Sequence, residues 1–136
     1  MELTTIIEFL EDQTGCREVS ATSDITEDLG VDGDDFDDLL RRFSSVFNVD
    51  VSGCLWYFHC GEEGGWNSIG GMFFRSPDKR VPHIKVTPIM LLDFVKKGRW
   101  DLQYPEHRLP KVRYDMLINQ VLFIGVLAFL IYKLAF

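Results

Sequence analysis

Residues that bind metals or carry redox chemistry are scarce in this chain. Cysteine and histidine each occur three times in 136 residues, and no Cys-x2-Cys pair is present. This removes the usual zinc-ribbon and thioredoxin-like spacings. Cys54, Cys60 and His59, with His83 or His107, can be assembled into a zinc set on paper. Alternation along a strand, however, would put His59 and Cys60 on opposite faces, so no metal site is expected. The odd cysteine count reads as unpaired, reduced thiols of a cytoplasmic domain. Basic charge is short too: 14 Lys plus Arg face 21 Asp plus Glu, and a pI near 4.8 argues against a nucleic-acid surface. A Gly-rich phosphate loop, a nucleophile elbow and a paired His–carboxylate arrangement are all missing, so neither enzymatic activity nor a cofactor is expected.

What is present is acid, and it is concentrated. Asp24 to Asp50 holds nine acids and two bases, which equals the net charge of −7 of the whole chain. Arg75 to Arg113 carries ten bases and four acids, so the chain is polarised between an acidic and a basic segment. Phe36, Leu39, Leu40, Phe43, Val46 and Phe47 recur at helical period and predict one apolar stripe facing a core. Asp32 or Asp34 is placed to cap that helix, and Asp34, Asp35, Asp37 and Asp38 lie at the positive end of its dipole. Asp37 with Arg41 and Asp38 with Arg42 are i,i+4 pairs of opposite charge. Capping needs two or three acids; the surplus predicts a recognition surface for a basic cytoplasmic protein partner at Asp34, Asp35 and Asp38.

The tract Glu27-Asp28-Leu29-Gly30-Val31-Asp32-Gly33, continued through Leu39, Phe43 and Phe47 to Asn48-Val49-Asp50-Val51, resembles the second helix of an acyl carrier protein. Lys85-Val86-Thr87-Pro88-Ile89-Met90-Leu91-Leu92-Asp93-Phe94-Val95 is similar to the linker and final helix of the same proteins. Gly33 occupies the position of the phosphopantetheine serine and has no hydroxyl, so the resemblance implies the shape of a carrier without its chemistry. Together with the Gly33-Asp34-Asp35 signature and the Lys96-Lys97-Gly98-Arg99-Trp100 end, the chain is similar to an acyl carrier-like bacterial family of unknown function, domain-of-unknown-function family 1493. That family implies no activity. An alternative role, as a carrier or accessory in acyl or lipid metabolism, would require modification elsewhere, for example at Ser44 or Ser45.

Leu117 to Phe136 is a run whose strongly polar members are Asn119, Gln120 and Lys133. A helix of twenty residues is about 30 Å long, matching the hydrocarbon core of a bilayer. Val121 to Tyr132 has no polar face, so this segment is predicted to cross the membrane. Arg108, Lys111 and Arg113 precede it, and only Lys133 lies within its far end. The positive-inside rule then places the N-terminal domain in the cytoplasm, at a bacterial inner membrane. Met1-Glu2-Leu3 has no basic signal-peptide start, and the position of the span predicts a single-pass, tail-anchored protein.

The remaining segments predict an α+β fold. Leu3 to about Gln13 is a helix with Ile6, Ile7 and Leu10 inward, capped by Thr4 or Thr5 and stopped by Gly15. Leu55-Trp56-Tyr57-Phe58 and Ile69 to Phe74, separated by Glu62-Glu63-Gly64-Gly65, read as a β-hairpin inserted into a small helical, acyl carrier-like domain. Thr87-Pro88 opens another helix, which Gly98 ends. The expected organisation is a carrier-like cytoplasmic domain over 1–100, an extended basic connector over 101–116 and a transmembrane helix over 117–136. Asp28 to Gly33 matches the start of a calcium loop, but Gly30 and Leu39 occupy ligand positions. Trp56, Trp66 and Trp100 are candidates for a ligand pocket, though core packing is the commoner fate of tryptophan. The expected function is a noncatalytic, membrane-tethered interaction module.

Overall fold

A computed structural model describes residues 1–62 and 68–136. The described chain is helical: α1 (Leu3–Thr14), α2 (Gly33–Phe47), α3 (Ile69–Phe73), α4 (Pro88–Lys97) and α5 (Tyr114–Ala135), with 3-10 turns at Trp56–Phe58 and Pro77–Arg80. The core is built from the inward stripes of three of these helices. Ile6 and Leu10 of α1, Phe36, Leu39, Leu40 and Phe43 of α2, and Leu91 and Phe94 of α4 are buried together, joined by Ile25, Val49, Val86 and Trp100 from the loops. Phe9 extends the cluster by packing edge-on against Phe47 with ring centroids 5.2 Å apart. Glycines in left-handed conformation end α1 and α4, and Thr87 Oγ1 accepts from Met90 N–H at the start of α4.

The structure corrects the α+β expectation. Neither run of the predicted hairpin is extended: Trp56–Phe58 is a 3-10 turn and Ile69–Phe73 is α3. Among the described residues the β pairing consists of one isolated parallel bridge, Asp50 with Arg99. Aromatic runs of four to six residues carry no period that separates strand from helix, so flanking contacts decide. Ser68 Oγ accepts from Gly71 N–H and closes the first turn of α3, while the Trp56 carbonyl accepts from both His59 and Cys60 N–H. Glu63, Gly64 and Gly65 of the expected turn, and Trp66 of the expected pocket, lie outside the described residues.

Smaller differences have equally local causes. α1 begins at Leu3, so Thr4 and Thr5 lie inside it and do not cap it. Val46 is exposed because about 100° per residue carries it to the edge of the stripe that Phe36, Phe43 and Phe47 centre, and α2 ends at Phe47 with Asn48 left-handed as its cap. Residues 101–113 contain no helix but are pinned to the domain. Tyr104 stacks on Phe58 at 4.9 Å, and His107 meets the same ring edge-on at 4.9 Å.

Candidate functional site

The start of α2 is organised around Asp32. Its carboxylate accepts from Gly33 N–H at 3.0 Å and from Gly61 N–H at 2.6 Å, tying the helix start to the chain that follows the Trp56–Phe58 turn. Gly33 stands at φ +53°, in the left-handed region, as the first residue of α2. A side chain there is strained, so glycine at this position serves the backbone.

The carboxylates predicted to bind a partner do not form one patch. Helical spacing sends Asp35 and Asp38 to one side, where they line a cavity of about 290 Å³ with Gln13, Leu29 and Arg42. Asp34 goes to the other side, where Asp37, Phe36, Leu40, Trp56 and Cys60 line a cavity of about 280 Å³. All four aspartates are exposed. Arg41 pairs with Asp37 and reaches Asp38 at 3.9 Å. Arg42 does not pair with Asp38 as its spacing predicts; it donates to Gln13 Oε1 of α1 at 2.9 Å. Asp34 and Asp35 have no ion-pair partner among the described residues.

Two polar clusters, one buried and one built on a single buried carboxylate, escaped the sequence reading. His59 is fully buried, with Nδ1–H donating to the Ile84 carbonyl at 2.7 Å, which leaves Nε2 to accept from the Tyr104 hydroxyl at 2.8 Å. The same hydroxyl oxygen accepts from Leu55 N–H and from Trp100 Nε1–H. Burial lowers the His59 pKa, so the ring is held neutral, and burial pushes Tyr104 up to about 12. This network locks the residue 101–113 segment to the core.

The second cluster is Asp24, Glu27 and His83, whose ligand atoms lie within 4.8 Å of one another. It is the group among the described residues best arranged to hold a cation. Asp24 is buried and bonds His83 Nε2 directly at 2.6 Å, and Thr26 N–H donates to its other oxygen, so the cluster is internally satisfied. Asp24 and His83 are separated by 58 intervening positions, and no motif spacing signals them. The zinc set considered from sequence is not free for ligation, since His59 and His107 each have both ring nitrogens engaged. Burial pushes the thiols of Cys54 and Cys60 up to about 12, which keeps them protonated and poorly nucleophilic at neutral pH. Leu39, the twelfth position of the calcium-loop pattern, is a buried core residue.

Next to Gly61, Glu62 shares the Asp34 cavity and accepts from Arg113 at 2.7 Å, while Arg113 also binds Asp115 through two hydrogen bonds of 2.9 and 2.6 Å. This fork seats the first turn of α5, a helix of 22 residues that is long and apolar enough to cross a membrane. No curated protein and no solved structure matches the chain. Residues 4–103, from α1 to just beyond Trp100, match the family described as protein of unknown function (DUF1493), and the chain belongs to that family.

Proposed function

We propose that this protein is a noncatalytic interaction module tethered to a bacterial inner membrane, with α5 as a single-pass anchor and the helical domain in the cytoplasm. The observation that carries this reading is the start of α2, where Asp34, Asp35 and Asp38 are exposed on the walls of two cavities and Arg41 neutralises only part of the charge. A basic protein surface is the complementary partner. The basic flank of α5, which includes Arg108, Lys111 and Arg113, favours the cytoplasmic orientation and attraction to anionic headgroups, while the acidic end is repelled by them. Gly33 bears no hydroxyl, so the module takes no phosphopantetheine there.

The test is copurification from gently solubilised membranes, comparing the native chain with an Asp34→Lys, Asp35→Lys, Asp38→Lys variant that retains its helical spectrum. Loss of specific proteins from the variant alone is the expected result. An identical set of copurifying proteins would reduce the acidity to capping and solubility and overturn the partner assignment.

A further inference from the structure

The second strand of the expected hairpin is instead a short helix lodged against the base of α5, and its outward face is apolar. Three contacts hold it there. Gly70 N–H donates to Asn119 Oδ1 at 2.9 Å, Phe74 packs on Tyr114 with centroids 5.4 Å apart, and the backbone of Gly70 lies against Asp115. A Cβ added at Gly70 would stand 1.9 Å from the Asp115 carbonyl oxygen, so no other residue permits this approach. Gly70 and Phe74 share the side of α3 that meets α5; Ile69, Met72 and Phe73, spaced i, i+3, i+4, share the other. Those three are 52%, 80% and 72% exposed.

Isolated exposed apolar side chains are ordinary, but three on one short helix beside a span form a continuous patch. Because α3 contacts residues 115–119, it lies level with the first turn of α5, where a spanning helix passes through the headgroup region. The adjoining chain is basic: Arg75 and Arg80 are exposed, and with Arg113 they line a cavity of about 110 Å³ between the loop after α3 and the start of α5. An apolar face rimmed by exposed cations, continuous with a membrane helix, is the pattern of an interfacial anchor.

We propose that α3 is a second membrane contact, in which Ile69, Met72 and Phe73 enter the boundary between headgroups and acyl chains beside α5 while Arg75 and Arg80 face anionic headgroups. This inference rests on the reading of α5 as a span. A second contact beside the span would limit the tilt of the domain on the bilayer and hold the acidic start of α2 in one orientation to the cytosol.

The test is site-specific photocrosslinking of the full chain in vesicles of phosphatidylcholine, with and without phosphatidylglycerol. The photoreactive p-benzoylphenylalanine is placed at Phe73, at Phe129 within α5, or at Val46, an exposed apolar position on α2. Lipid adducts at Phe73 and Phe129 but not at Val46, with the Phe73 yield raised by phosphatidylglycerol, are expected. Arg75→Gln with Arg80→Gln should abolish that rise. Adducts at Phe129 without adducts at Phe73 would overturn the second contact and leave the span standing. Crosslinks from Phe73 to a second copy of the chain in place of lipid would overturn it in favour of an interface between copies. Adducts at neither Phe73 nor Phe129 would overturn the span, and the second contact with it. A Phe73 yield indifferent to phosphatidylglycerol would overturn the role given to the two arginines.

Discussion

Two neighbouring charged clusters of this protein are built on opposite principles. At the start of α2, carboxylates stand in solvent with few partners; at the start of α5, Arg113 is gripped by Asp115 and Glu62. Exposed charge contributes little to stability and is free to meet another molecule, whereas a half-buried fork orders the chain around it. The comparison separates an exposed, largely unpaired cluster from one that orders the chain around it. Glycine shows the same division: Gly33 relieves a backbone conformation at an exposed helix start, while Gly70 lets one helix touch the backbone of another.

Substitutions can break this contrast, and the contacts that order the chain should show the larger effects. Tyr104→Phe removes one hydroxyl and leaves His59 Nε2, Leu55 N–H and Trp100 Nε1–H without their partner. A loss of about 3 kcal/mol is expected from three orphaned polar groups, read as a lowered thermal midpoint in detergent. Gly70→Ala should cost about 2 kcal/mol by overpacking and separate α3 from α5, which a distance probe between α3 and α5 would detect. If its melting curve is unchanged, the close approach is not a structural requirement.

The neutral His59 makes stability depend on pH. Its folded pKa lies below the ordinary 6.5, so the unfolded chain takes up a proton that the native chain refuses. Stability is therefore complete above about pH 6.5 and falls as pH drops toward the folded value, by at most about 1.4 kcal/mol per pH unit. Denaturant titrations across that window should show the slope, and His59→Gln should flatten it. The smallest effect belongs to the start of α2: Gly33→Ser should cost about 1 kcal/mol, because serine enters the left-handed region at a penalty. A stabilised Gly33→Ser protein would mean that α2 can begin with an ordinary residue, and would remove the backbone reason for glycine.

The helices with a long apolar period were legible in the sequence. The Phe36 to Phe43 stripe of α2, the Thr87-Pro88 start and Gly98 stop of α4, and the apolar length of α5 are each specified by neighbours a few positions apart. α3 was not, since five residues rich in glycine and aromatics satisfy strand and helix patterns equally. Gly70-Gly71 weakened the strand reading, and the structure supplies the cause: Gly70 is small because α5 lies against it. The acidic run is plain in the sequence, but helical spacing divides Asp34 from Asp35 and Asp38 between two cavities, which a linear acidic run conceals.

Taken alone, the amino-acid sequence determined where the main helices run, the polarity of charge along the chain, and that its final apolar segment can cross a membrane. These follow from local periodicity, capping and composition. Only the tertiary structure decided that Asp24 meets His83, that Tyr104 closes over His59, and that α3 rests on α5. Those contacts join residues 45 to 59 positions apart, and their energies arise from burial and satisfied hydrogen bonds that exist only once the chain has folded.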